Sequence, residues 1–246
     1  QQTLRDGRLN PSVTDKLRLF GVGIDSVEKE RIAARRDFLA AADAVEADVV
    51  IVARPNRPLI ERLLSSHPPY ALIEAPTPAK QFGKRLSQAI ERKGLFLSIT
   101  TRAAFNMELA GIVCSSLCRC VPLSREKCFD VETALGEALS NAMIHGNLDV
   151  TSVLRNDPAD FGQYCDLINQ RLTAPHYSDR RIELLATWTA VKGLQIEVYD
   201  EGRGYDKSSI NERPPLEAKC GRGFSLLRQM TDELALADNG RGLKMS

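Results

Sequence analysis

The chain has 246 residues, 43% of them apolar, and its Lys+Arg 33 against Asp+Glu 32 leave a formal net charge of +1. That supports one or two full cores, and the near-neutral balance excludes the general electrostatic pull that nucleic-acid binders use. No apolar run approaches the length of a membrane span, and Gln1-Gln2-Thr3 opens no signal peptide. The expectation is therefore a cytoplasmic chain with an excised or incomplete start and no nucleic-acid or membrane partner.

From about Asp15 to Lys93 strands and helices alternate. Leu17 to Ile24, Asp48 to Ala53 and Tyr70 to Glu74 read as strands, and Val27 to Ala42, Leu59 to Ser65 and Pro78 to Arg92 as helices. This rhythm predicts parallel strands with covering helices, a regulatory unit over residues 1–94 that gives way near Gly94 to a second unit over 95–246. Arg31, Arg35 and Arg36 make a basic helix face, read as solvated because Glu28, Glu30 and Asp37 stand beside them. His67, among Ser and Pro, reads as an exposed turn residue.

Cys114, Cys118, Cys120 and Cys128 crowd together, but with no paired CxxC and no nearby His they do not make a zinc site. Cys114 and Cys118 lie one helical turn apart beside Ile112, Val113 and Leu117, so core packing is expected, with redox sensing the alternative.

Three motifs carry chemistry. About Arg125 to Gly146 reads as one helix, which puts Glu137, Asn141 and His145 on a shared face. A carboxylate and an amide four residues apart suit a general base beside an oxygen ligand for Mg2+, and equally an ordinary polar helix face. Leu194, Ile196 and Val198 alternate with polar residues up to Asp200, a strand ending in Asp200-Glu201-Gly202-Arg203-Gly204. There a carboxylate can accept from an exocyclic amine while bare backbone admits a flat ring, although a common turn fits too. Gly221-Arg222-Gly223 opens a helix from Phe224 to about Glu233, so backbone N–H groups can meet phosphate, or simply start a helix. Trp188, among Leu184, Leu185 and Ala186, reads as core.

In order and spacing the three motifs resemble the N, G1 and G2 boxes of the GHKL superfamily, the Bergerat ATP-binding fold. Glu-Ala-x-x-Asn-Ala from Glu137 and Gly-Arg-Gly-Phe-Ser-Leu-Leu-Arg-Gln-Met-Thr-Asp-Glu from Gly221 are similar to the anti-sigma factor serine/threonine kinase branch, as is the closing Asn239 to Met245. His145-Gly146-Asn147-Leu148 and Ala174 to Arg181 further resemble a variant fused to response-regulator modules. The resemblance covers about residues 96–246 and implies an α/β two-layer sandwich. It makes Glu137 the general base, Asn141 the Mg2+ ligand and Asp200 the acceptor of the adenine amine. Gly202 and Gly204 would admit the ring, and Gly221, Arg222 and Gly223 would shape the end of a lid running from Tyr205 to Cys220, with His145 completing the nucleotide-binding set. Phe224 departs from the family's usual Leu, and Asp149 to Arg180 is an insert within which Phe161 to Leu172 is expected to form an extra helix.

The N-terminal half resembles the second part of a response-regulator receiver, because Tyr70-Ala71-Leu72-Ile73-Glu74-Ala75-Pro76 is similar to that domain's last strand. Ala75 replaces its Lys, Ala53 its Ser or Thr, and Asp25 is the one candidate phosphoacceptor, which implies a degenerate receiver present for about two thirds of its length. Taken together, the resemblances imply an ATP- and Mg2+-dependent kinase that phosphorylates Ser or Thr on a small anti-sigma-factor antagonist, binds a sigma factor, and can pair as a homodimer. The alternative is a non-catalytic ATP-binding switch that sequesters its partner. A sensor histidine kinase is disfavoured, since none of His67, His145 and His176 lies on a long helical hairpin.

Overall fold

Val49-Val50-Ile51-Val52 is an unbroken β-branched run, and such a run is stable where both faces of a strand are covered. In the computed structural model, which describes residues 16–36, 38–65, 67–77, 83–151, 160–205 and 223–246, it becomes strand β3, buried at all four positions. The first half runs β1 (Arg18–Val22), α1 (Ser26–Arg36), β2 (Leu39–Ala40), β3 (Val49–Val52), α2 (Arg57–Ser65), β4 (Ala71–Glu74), α3 (Lys84–Glu91) and β5 (Leu95–Thr100). The second half opens with helices α4 (Thr101–Met107), α5 (Leu109–Cys120), α6 (Arg125–Ser140), a π-helical turn Asn141–Asn147, α7 (Phe161–Thr173) and α8 (Pro175–Ser178). It closes with β6 (Arg181–Thr189), β7 (Gly193–Tyr199), α9 (Gly223–Met230), β8 (Leu234–Ala237), a 3-10 turn Asp238–Gly240 and β9 (Gly242–Met245).

The nine strands among the described residues form one sheet in the order β2-β1-β3-β4-β5-β6-β7-β9-β8. The pairings from β2 to β5 are parallel and those from β5 to β8 antiparallel. Strand β5 is the hinge of this arrangement, pairing Ala71 with Phe96 on one edge and Leu95 with Ala186 on the other. Gly94 leads into it where a Cβ would lie 2.3 Å from the Ala186 carbonyl oxygen, so only glycine lets the chain enter there.

The order β2-β1-β3-β4-β5 is that of a flavodoxin-like doubly wound sheet. It corrects the expectation that Tyr70–Pro76 forms the last parallel strand, because β4 is followed by α3 and by β5 at its side. The sequence concealed this because β5 also opens the antiparallel half. The peptide bond Ala75-Pro76 that follows β4 is cis.

One apolar core spans both halves on one face of the sheet, joining Val50, Leu72 and Leu97 to Ile112, Leu135, Leu184 and Val198 under α2, α5 and α6. On the other face a second core packs Ile32 of α1 and Leu86 of α3 against Ile51, Ile73, Phe96 and Leu185. Trp188 lies in the first core, as expected.

Ser124 starts α6 by accepting from the Lys127 N–H at 3.2 Å, the side-chain cap that short hydroxyl residues favour. The expected helix from Arg125 to Gly146 is corrected beyond Ser140, where the backbone widens into the π turn and Leu148 N–H reaches the Met143 carbonyl at 2.8 Å. The crowded cysteines also depart from simple packing, since Cys118 of α5 is bonded to Cys128 of α6 in a disulfide. Helices α5 and α6 form a hairpin, which brings the last turn of one beside the first turn of the other. Cys114 stays a buried thiol, 3.7 Å from the Cys118 sulfur, and burial pushes it up to about 11. The insert helix forms as expected, at Phe161–Thr173.

Candidate functional site

The site lies where α6 and its π turn face the ends of β7 and β9 and the start of α9. Asn141 donates its amide N–H to Glu137 Oε1 at 3.0 Å, so the two side chains keep the shared face expected of them. Against them comes the N-terminus of α9. A Cβ on Gly223 would sit 1.9 Å from Glu137 Oε1, so glycine alone allows this approach, and the positive end of a helix then meets a carboxylate.

Asp200 directly follows β7 and accepts the Gly202 N–H at 2.7 Å. Burial pushes its carboxyl up to about 6, opposed by that N–H and by the charges of Arg241 and Arg180. Gly146 and Gly202 are packed so tightly around it that a Cβ on the first would lie 2.5 Å from the Asp200 carboxyl carbon, and one on the second 2.3 Å from the Gly146 carbonyl oxygen. The motif's glycines and the π turn thus form one close-packed unit. A single small substitution would disrupt both.

Asn141, Asp200, Tyr205, Phe224 and Arg241 line a cavity of about 10 Å³, room for roughly one water. Tyr205 and Phe224 close it as an edge-to-face pair with centroids 5.1 Å apart. The Tyr205 hydroxyl oxygen is buried and has no hydrogen-bond partner among the described residues. Burial, with the charges of Asp200 and Glu137, pushes this phenol up from its ordinary value. An orphaned hydroxyl beside an acidic wall and a glycine cradle fits a polar ligand with a flat ring.

The donor set also fits the metal expected. With its amide nitrogen turned to Glu137, Asn141 has a carbonyl oxygen left to offer, and among the described residues no group of three or more His, Cys, Asp or Glu makes a metal cage. Mg2+ is the ion that takes one or two protein oxygens and completes its shell with phosphate and water.

Other expected residues fall elsewhere. His145 Nδ1 lies 2.5 Å from the Val150 carbonyl, which can only accept, so this nitrogen carries the proton and the ring fastens the π turn to the loop behind it. Asp25, three residues past the end of β1, accepts the Glu28 N–H at 2.7 Å and caps α1. Gly221, Arg222 and the lid residues 206–220 lie outside the described residues.

A buried polar chain behind the pocket has no counterpart among the sequence-predicted site residues. Asn147, 0% exposed, donates to Thr101 Oγ1 at 2.7 Å and to the Arg181 carbonyl at 2.9 Å, and accepts the Glu201 N–H at 2.7 Å. The Arg181 guanidinium donates to the carbonyls of Ser98, Glu74 and Pro76 at 3.1, 2.8 and 2.6 Å, while the backbone N–H of Arg181 donates to Glu201 Oε2 at 2.6 Å. The available signals are an Arg opening the strand Arg181–Thr189 and an Asn following the helix motif. Neither has a periodicity that marks burial. A family model described as a histidine kinase-like ATPase domain matches residues 100–246. No curated protein matches the chain.

Proposed function

Because the chain belongs to the histidine kinase-like ATPase family and its C-terminal half is therefore an ATP-binding domain, we propose that it is a protein serine/threonine kinase. In this reading it phosphorylates a small antagonist protein and regulates a sigma factor in a bacterial partner-switching pathway. The observation that carries the proposal is Glu137, a carboxylate held by Asn141 and set against the start of α9. A base in that place takes the proton from an attacking hydroxyl, and phosphoryl transfer otherwise rests on positioning and charge neutralisation.

Asp200 accepts from the adenine amine, Asn141 offers its oxygen to Mg2+, and the N-terminus of α9 receives phosphate oxygens. Mg2+, when bound, neutralises charge on the phosphates. The three histidines do not fit autophosphorylation: His67 sits in an exposed bend, His145 is fastened to Val150, and His176 belongs to a four-residue helix beside Tyr177.

The test is to bind MgATP calorimetrically and then incubate the full chain with labelled ATP and a panel of antagonist-type proteins. Label on a partner Ser or Thr supports the kinase. Binding without transfer to any of them favours the second reading, an ATP-held switch that sequesters its partner. A cytoplasmic location belongs to the proposal. No helix among the described residues is long and apolar enough to cross a membrane. Thiol labelling in a cell extract would test the location, since a bridge such as Cys118–Cys128 is uncommon in a reducing compartment.

A further inference from the structure

Asp238, Asn239 and Gly240 adopt φ of 49°, 54° and 86°, three consecutive residues in the left-handed region. Asp and Asn tolerate it better than most residues, yet a non-glycine residue there is strained, and such a turn persists only where its surroundings hold it. The turn is part of the pocket: Gly240 and Arg241 line it, and the Gly240 carbonyl accepts the Tyr205 N–H at 2.9 Å.

What holds the turn from outside is Arg85, on α3 of the N-terminal half. Its guanidinium donates to Asp238, pairs with Glu183 of β6 at 2.6 Å, and lies 3.7 Å above the ring of Tyr199, the residue before Asp200. The Tyr199 ring in turn abuts Gly242, where a Cβ would be 2.3 Å from it, and Gly242 also lines the pocket. One planar cation therefore grips the turn, the neighbouring strand and the aromatic floor. A planar fork over an aromatic face is arginine's particular geometry.

We infer that Arg85 is a positioning residue through which helix α3 sets the wall of the nucleotide pocket, so that a partner or signal acting on the N-terminal half reaches the ATP site through this side chain. The inference rests on the reading of this pocket as the nucleotide site. Withdrawing Arg85 frees Asp238, relaxes the left-handed turn and loosens its bond to Tyr205. The affinity for nucleotide then falls without any change in the groups that touch it.

Two measurements on the full chain test this, one of them independent of nucleotide. Hydrogen exchange at the Tyr205 amide reports the turn directly: Arg85→Ala should speed it, and unchanged exchange overturns the inference. Calorimetry with MgATP then compares the wild type with Arg85→Ala, Asp238→Asn and the double variant. Each single change should weaken binding about fivefold to tenfold. The double variant should bind no worse than Arg85→Ala alone, because both act through one contact. Asp238→Asn should leave the thermal midpoint nearly unchanged, since the change is isosteric and the Asp238 side chain is 54% exposed. Equal binding by all four proteins, or losses that multiply in the double variant, overturns the coupling. A wild type that binds no MgATP, with Tyr205 exchange still dependent on Arg85, rejects the nucleotide reading and with it the inferred control of nucleotide affinity.

Discussion

The parallel and antiparallel halves of the sheet share strand β5 and one core, yet they treat polar groups differently. In the parallel half, Val49–Val52 are buried throughout and β4 buries Ala71, Leu72 and Ile73. Its acidic residues serve as backbone acceptors within the half: the exposed Asp25 caps α1, and the buried Asp48 accepts the Arg18 N–H of β1 at 2.9 Å. In the antiparallel half, Asp200, Asn147, Arg181 and the Tyr205 hydroxyl are drawn wholly or partly out of water around one pocket. Desolvated polar groups are expensive unless paired, and proteins tolerate that cost where a ligand is to be recognised. The two halves thus divide the work between scaffold and site, with Arg85 and Arg181 crossing between them.

The strongest way to break that division is at Glu137. Glu137→Ala should retain MgATP binding in calorimetry and lower phosphoryl transfer to a partner by at least about a hundredfold. Unchanged transfer would remove Glu137 as the base. Next in size, Ile51→Ala, at a fully buried position shared by β3 and the second core, should cost about 2–5 kcal/mol in urea unfolding. The loss should appear in a single transition, because the cores join both halves, and two separated transitions would show that the halves fold apart.

Asp200 gives a smaller effect with a sign that depends on pH. Its carboxyl rises to about 6 in the folded chain from 3.8, so its contribution to stability is full below the lower value and lost as pH rises through the upper. Asp200→Asn should therefore stabilise the nucleotide-free protein by on the order of 1–2 kcal/mol at about pH 8 and hardly at all at about pH 4, while weakening ATP binding. Thermal unfolding of both proteins at the two pH values decides it, and a destabilised variant at the higher pH would refute the assignment. The smallest effect belongs to the scaffold. Asp25→Ala removes a helix cap and should cost about 1 kcal/mol in chemical denaturation. A negligible cost would leave Asp25 free for another role.

What the sequence determined by itself was whatever depends on near neighbours. Alternation along Leu194 to Val198 specifies β7, a β-branched run specifies β3, and four-residue spacing brings Glu137 to Asn141, because strand and helix periods are local geometry. Long-range packing alone settled which groups from distant segments share one place out of water. Strand β5 serves two halves, the helix opens into a π turn where the Asn147 amide finds three partners more than thirty residues away, and Cys118 meets Cys128 across a hairpin. Arg85 reads in the sequence as one more surface cation on a helix. It becomes a clamp only because the fold sets Glu183, Tyr199 and Asp238 around it, and burial turns those distant neighbours into its partners.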